Sequence, residues 1–272
     1  MANSLINNKA CIIRNTFYNR SAFLQLSLDY QKLANNNNRF KTYIYVDPHP
    51  ILGYTLDYDT IITSEYQRIN FASNQGKKSW YSAVKHTFDN TDYEYIISIE
   101  DDIIISCDYL DICLDVIDNQ ILKNNNRIIN LHIGAWQSPK GDKNRIIKGK
   151  NASLRSVLIY RDTFYKYIDS FYTENVGSDL PGLDLDLQKI LEQNNLITIA
   201  PEMNRHGHFG VFGWSASSLK DTAYDSHTDL YNILKDICLS GEKLQKLNNS
   251  YVPHYFWDFH PDIQYSKLIY NV

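Results

Sequence analysis

In the stretch Tyr95-Ile96-Ile97-Ser98-Ile99-Glu100-Asp101-Asp102, five largely apolar residues run straight into three consecutive carboxylates. The apolar part has the length and β-branched character of a buried strand. In open α/β sheets, ligands bind outside the C-terminal ends of the strands, so such a strand delivers its acids to a binding edge. Three adjacent carboxylates repel one another unless a cation or hydrogen-bond donors compensate them. Hard oxygen ligands of this kind suit Mg²⁺ or Mn²⁺. A solvated acidic turn capping a helix that begins near Asp108 is the other reading, and the residues alone leave both open.

Working outward, strands and helices alternate. Ala10 to Ile13 reads as a short buried strand that empties into a loop at Arg14-Asn15-Thr16. Ser21 then caps a helix whose inner face carries Phe23, Leu26, Tyr30 and Leu33. Strands follow at Thr42 to Val46 and Thr60 to Ile62, and Trp80, Val84 and Phe88 recur at helical spacing from Gly76 onward. Beyond the acids come a helix from Tyr109 to Ile121 and strands at Ile128 to His132 and near Val157 to Ile159. Helices around Phe164 to Phe171 and Asp184 to Gln193 lead to a strand at Leu196 to Ala200. This alternation predicts an α/β fold with a mainly parallel mixed sheet and helices on both faces.

Composition narrows the class. With 27 Lys and Arg against 31 Asp and Glu, the formal net charge of -4 gives no broad basic field of the kind that accompanies nucleic-acid binding. Cys11, Cys107, Cys113 and Cys238 form no CxxC pair, so buried free thiols are expected rather than a disulfide framework or a zinc site. The polar start lacks a secretory pattern, and no apolar run reaches the ~20 residues of a membrane span. A cytoplasmic protein without a membrane anchor is therefore expected. The Asn tracts at 35–38 and 124–126 read as loops.

With its EDD triplet, the segment Tyr95 to Ile103 resembles the metal-binding strand of the inverting GT-A glycosyltransferases of the N-acetylglucosaminyltransferase I family. Other short matches follow in that family's order. Ile13-Arg14-Asn15-Thr16, with Arg20 and the helix after it, is similar to the first strand and loop that contact the nucleotide. Asp47 stands where the family places an acid on the uracil, and His86 where it places a histidine near the donor. Gly134-Ala135-Trp136 resembles its Ala-Trp, and Pro201-Glu202-Met203-Asn204-Arg205 with Phe209-Gly210 its Pro-Glu-x-x-Arg and Phe-Gly segments.

The resemblance runs from about residue 9 to 213. It implies a catalytic domain over 1–215, with a nucleotide-sugar half of about 9–135 and an acceptor half of 136–215. A C-terminal extension, 216–272, would pack on the same domain.

What the resemblance implies is a metal-dependent transfer from a UDP-sugar donor to an acceptor hydroxyl. Asp102 would ligate Mn²⁺ or Mg²⁺, Asp101 would meet the ribose or a metal-bound water, and Glu100 would support them from behind. Arg14, Asp47 and His86 would contact the donor. An inverting transfer needs a carboxylate base opposite the leaving group. Asp184 falls on the family's catalytic aspartate, with Asp186 two residues on as the second candidate; both acids also suit a helix N-terminus. In Arg205-His206-Gly207-His208, His208 is the candidate for the metal or a phosphate.

One departure stands out: Asn151-Ala152-Ser153-Leu154-Arg155-Ser156 replaces the family's glycine-rich loop, so N-acetylglucosamine is not carried over as the donor sugar. The acceptor is expected to be a glycan, a protein or a hydroxymethylated DNA base. For DNA, the basic stretch from Lys140 to Lys150 would be the phosphate contact, unless it is merely a solvated loop. Two other classes stay open. One is a metal-dependent nuclease or phosphohydrolase. The other is a non-catalytic sugar- or nucleotide-binding protein, suggested by the aromatic tail Tyr251, Tyr255, Phe256, Trp257 and Phe259.

Overall fold

The computed structural model describes residues 7–18, 20–49, 51, 53, 58–132, 141–150, 155–175, 183–208, 231–232, 235, 262, 264–265 and 267–270. Gly134-Ala135-Trp136, most of Asn151 to Ser156, Phe209-Gly210, Cys238 and the aromatic tail lie outside them.

The chain opens with β1 (Ala10–Phe17), α1 (Ser21–Leu33), β2 (Thr42–Asp47) and β3 (Tyr66–Asn70). Next come α2 (Ser79–Asn90), β4 (Tyr95–Glu100), β5 (Ile103–Ile105), α3 (Tyr109–Asp118), α4 (Ile121–Asn124) and β6 (Ile128–His132). β7 (Arg145–Gly149) and β8 (Ser156–Tyr160) precede a helix in three pieces: α5 (Arg161–Thr163), a π-helical stretch Phe164–Asp169 and α6 (Ser170–Glu174). The series ends with α7 (Leu183–Gln193), β9 (Ile197–Pro201), β10 (His206–His208) and β11 (Ile269–Tyr270).

Among the described residues nine strands form one sheet in the order β11-β7-β9-β6-β8-β4-β1-β2-β3, and β5 with β10 forms a separate ladder. The expected α/β class with a mixed, mostly parallel sheet is the one observed: β4-β1-β2-β3 pair in parallel, and β8 runs antiparallel between β4 and β6. Alternation along the strands explains the two cores. Ala10, Ile12, Ile97, Ile99 and Leu158 face α3 and α4, whereas Cys11, Ile13, Ile96, Val157 and Ile159 face α2 and α7. Each of the Ile, Leu and Val side chains, fully removed from water, contributes about 1.5–3 kcal/mol of transfer free energy.

Several local expectations are corrected. Arg14-Asn15-Thr16 is strand, because β1 is paired on both sides as far as Asn15 and with β2 out to Phe17. Ser21 is the first helical residue and the cap position falls to Arg20; α1 buries Phe23, Leu24, Leu26 and Leu28, while Leu33 is exposed. Thr60 to Ile62 is a turn closed by Ile61 N–H to Tyr58 O, and the third strand lies later, at β3. The helix after Tyr109 stops at Asp118, where Gln120 takes a positive φ of 54°. Half of the basic stretch 140–150 is not a solvated loop but the strand β7, paired with β9 and β11.

Beyond residue 230, the described residues reach the body of the sheet domain. Tyr231 donates to Asp29, Tyr265 and Tyr270 donate to Asp115, and β11 pairs with β7. Cys11 and Cys113 are buried free thiols and Cys107 a half-buried one. No described helix is long and apolar enough to cross a membrane.

Candidate functional site

The site grows from one topological feature. From β1 the chain moves to β2 and β3 on one side, while β4 returns to the other side, so the switch point of the parallel sheet lies between β1 and β4. Ligand crevices open there, at the strands' C-terminal ends. Asn15 pairs with Glu100 across this point, and Asp101 and Asp102 form the turn just beyond it.

A second device completes the cluster. The apolar triplet Ile103-Ile104-Ile105 leaves the turn as β5 and pairs antiparallel with β10, His206 opposite Ile105 and His208 opposite Ile103. The ladder therefore closes His208 onto the residue next to Asp102. Its Nε2 lies 3.5 Å from Asp102 Oδ2. Glu100, Asp102 and His208 each offer a ligand atom, all within 4.8 Å of one another, which is a group that could hold a metal ion.

The carboxylates are unequally satisfied. Asp101 Oδ2 accepts from Thr16 Oγ1 at 2.8 Å and lies 3.0 Å from Arg20 Nε. Asp102 Oδ2 accepts from Arg20 Nη2 at 2.6 Å. Asp102 Oδ1 is buried and has no hydrogen-bond partner among the described residues. Burial opposes charge on Asp102, yet the Arg20 guanidinium and His208 outweigh it and hold this carboxyl well below the usual range. Glu100 goes the other way: burial, then repulsion from Asp102, pushes it up to about 8. Asp101 is likewise raised by burial, to about 7, against the pull of Arg20. Three acids are thus gathered at a cost that Arg20 only partly offsets.

Asp184 stands exposed in the first turn of α7, and its negative charge is one of those that raise Glu100. Asp186, two residues on, turns inward: it is 1% exposed and Oδ2 accepts from Tyr172 OH at 3.1 Å. His206 lies under the ladder, its Nδ1 2.8 Å from Ser156 Oγ, and burial next to His132 and His208 holds it well below the usual histidine range.

The remaining residues expected at the site lie elsewhere or are occupied. Arg14 is fully buried and bonds internally: Nε to Gln31 at 2.9 Å, and Nη1 to Ser27 Oγ and to the Glu100 and Ile103 carbonyls at 3.1 and 3.4 Å. It ties α1 beneath the acidic turn. Asp47 is also buried and accepts from the Gln75 N–H at 2.8 Å, at the start of the turn that leads into α2. His86 is exposed on α2, 3.0 Å from Tyr45 OH, and none of its described contacts is with the acids.

The sequence reading gave no role to Arg155. Its Nη1 lies 3.2 Å from His208 Nδ1 and its charge bears on Glu100. Nor did it foresee the β5–β10 ladder, although the triple isoleucine after the acids carries a strand signal.

Nothing among protein-family models or curated proteins matches this chain. Many solved structures are similar at low levels, among them the following three. A candidate nucleotide-diphospho-sugar transferase from Desulfovibrio desulfuricans G20 overlays with TM-score 0.48 and 11% identity, over 85% of this chain and 96% of that one. For S. aureus TarS 1–349 the TM-score is 0.46 with 11% identity, over 88% and 75% of the two chains. The mannosyltransferase PcManGT from Pyrobaculum calidifontis, in complex with GDP-Man and Mn²⁺, gives 0.46 and 10% over 72% and 55%. Overlays this distant say nothing about activity.

Proposed function

We propose that this chain is a metal-dependent glycosyltransferase of the GT-A kind, moving a sugar from a UDP-sugar to an acceptor hydroxyl with inversion. The observation that carries the reading is the convergence of Glu100, Asp102 and His208 at the switch point, with one buried Asp102 oxygen left without a partner among the described residues. A buried carboxylate oxygen that nothing satisfies is costly unless a cation completes it.

Asp102, His208 and Glu100 would hold the ion. Two carboxylates suit Mg²⁺ or Mn²⁺ equally, and the imidazole tilts the set toward Mn²⁺. Bound there, the ion would neutralise the diphosphate leaving group. Asp101 fixes Arg20 and so sets the rim of the turn. Asp184 is the base: it is exposed, where an acceptor hydroxyl reaches it, whereas buried Asp186 is held by Tyr172 and orients the helix. Arg14 and Asp47 act as supports for the turn and for α2. The acceptor is a glycan, a protein or a hydroxymethylated DNA base.

Release of UDP from a panel of UDP-sugars, with Mn²⁺ and each acceptor class, tests the proposal. Turnover that requires Mn²⁺ and stops in chelator supports it. Cleavage of a phosphodiester by the same preparation, with no sugar transfer, overturns it.

A further inference from the structure

His208 has two ring nitrogens, and both are engaged in this structure. Arginine donates and cannot accept. The contact of Arg155 Nη1 with His208 Nδ1 at 3.2 Å is therefore a bond in which the imidazole gives its lone pair. The ring proton of neutral His208 then sits on Nε2, which points at Asp102 Oδ2 3.5 Å away. A metal ion needs a nitrogen lone pair. Binding through Nδ1 means taking the lone pair that Arg155 uses. Binding through Nε2 means carrying the proton on Nδ1, where two N–H donors would then face each other across the Arg155 contact. Either way Arg155 has to leave.

Arg20 imposes no such exclusion. It engages Asp102 through Oδ2 and leaves Oδ1 unpartnered, so an ion and Arg20 fit the same carboxylate together. Arg155 also addresses two of the three ligand residues, since its positive charge acts on Glu100 as well as on His208. Its backbone is fixed, with Glu100 N–H donating to Arg155 O at 2.9 Å. The residue is half-buried and stands at the start of β8, so its guanidinium lies outside the ladder bonds of the sheet.

We propose that Arg155 fills the cation site of the metal-free protein and is the residue a divalent ion displaces from His208. The proposal rests on the metal site argued above. Arg155 then sets the ion's affinity from within the chain, keeping the acids compensated until the ion arrives.

The test is a Mn²⁺ titration of the full chain, followed by electron paramagnetic resonance, for wild type and Arg155→Gln, with a melting curve to establish that the variant is folded. The variant is expected to bind Mn²⁺ roughly 10-fold more tightly, about 1.4 kcal/mol. A crystal structure of the wild-type Mn²⁺ complex is expected to show the guanidinium moved out of hydrogen-bond reach of Nδ1. Arg155→Lys, which keeps the charge and a donor, should stay near wild type. If wild type binds Mn²⁺ and Arg155→Gln binds it no more tightly, or if Arg155 stays on Nδ1 in the complex, the displacement is wrong while the metal site stands. If neither protein binds Mn²⁺, both fall.

Discussion

At Asp108, Arg205 sets Nε 2.9 and 3.1 Å from the two carboxylate oxygens, and its other nitrogens donate to the carbonyls of Met203 at 2.8 Å and Lys143 at 2.6 Å. Ser106 adds a further donor at 2.7 Å, and both partners are 1% exposed. The turn ahead of α3, the segment before β7 and the approach to β10 are pinned together there. At Asp101 and Asp102, one guanidinium is spread over two acids, a third acid stands beside them under the charge of Arg155, and one oxygen is left bare among the described residues. The same pair of residue types builds a saturated lock in one place and an unsaturated socket in the other. The number of carboxylates per arginine separates them. A buried pair in balance holds structure, and an excess of buried acid invites a cation.

Breaking the lock is expected to have the largest effect. Arg205→Met leaves Asp108 buried and alone, and should lower the unfolding free energy by about 3–5 kcal/mol in a urea titration. A loss under about 1 kcal/mol would put lock and socket in the same class. Next in size, Asp184→Asn removes the proposed base at the exposed edge of the socket. Turnover should fall about 100- to 1,000-fold in a variant that is still folded and still binds Mn²⁺. Near-normal turnover would move the base elsewhere.

The smallest effect separates the two clusters by pH. Glu100 is raised to about 8 and Asp101 to about 7, each above its value in the unfolded chain. The native state therefore keeps protons that the unfolded state has released, and their contribution is full at low pH and lost as pH rises from about 5 to 8. Asp102, held low, has the opposite sign and titrates below that window. In chelator the melting temperature should fall by a few degrees from pH 5 to 8, and Glu100→Gln should flatten the slope more than Asp108→Asn, whose carboxyl is also raised by burial. A slope that survives Glu100→Gln would show that the socket is not its source.

Much of the sheet was legible in the sequence, because β4, β2, β6 and β9 are apolar runs and α2 repeats Trp80, Val84 and Phe88 on one face. The acids at the end of β4 were legible for the same reason, since strand order alone sends them to an edge. Arg14 was expected at the donor through the resemblance, and nothing in the local sequence shows that Ser27 and Gln31, on the following helix, will surround it. Thr60 to Ile62 imitated a strand because β-branched residues also fill turns that pack on a core. The convergence of His208 with Asp102 depends on three ladder pairs between segments about a hundred residues apart, and spacing along the chain holds no trace of it.

The socket is the central claim, and a Mn²⁺ titration of wild type against Asp102→Asn, read by calorimetry at constant pH, tests it most directly. Removing even an outer partner of a ligand costs about 10- to 100-fold in metal affinity, so loss of a ligand oxygen should cost at least that. One Mn²⁺ per wild-type chain is expected, with affinity reduced at least that far in Asp102→Asn. Equal affinity in the two proteins, or no Mn²⁺ bound by either, would contradict it.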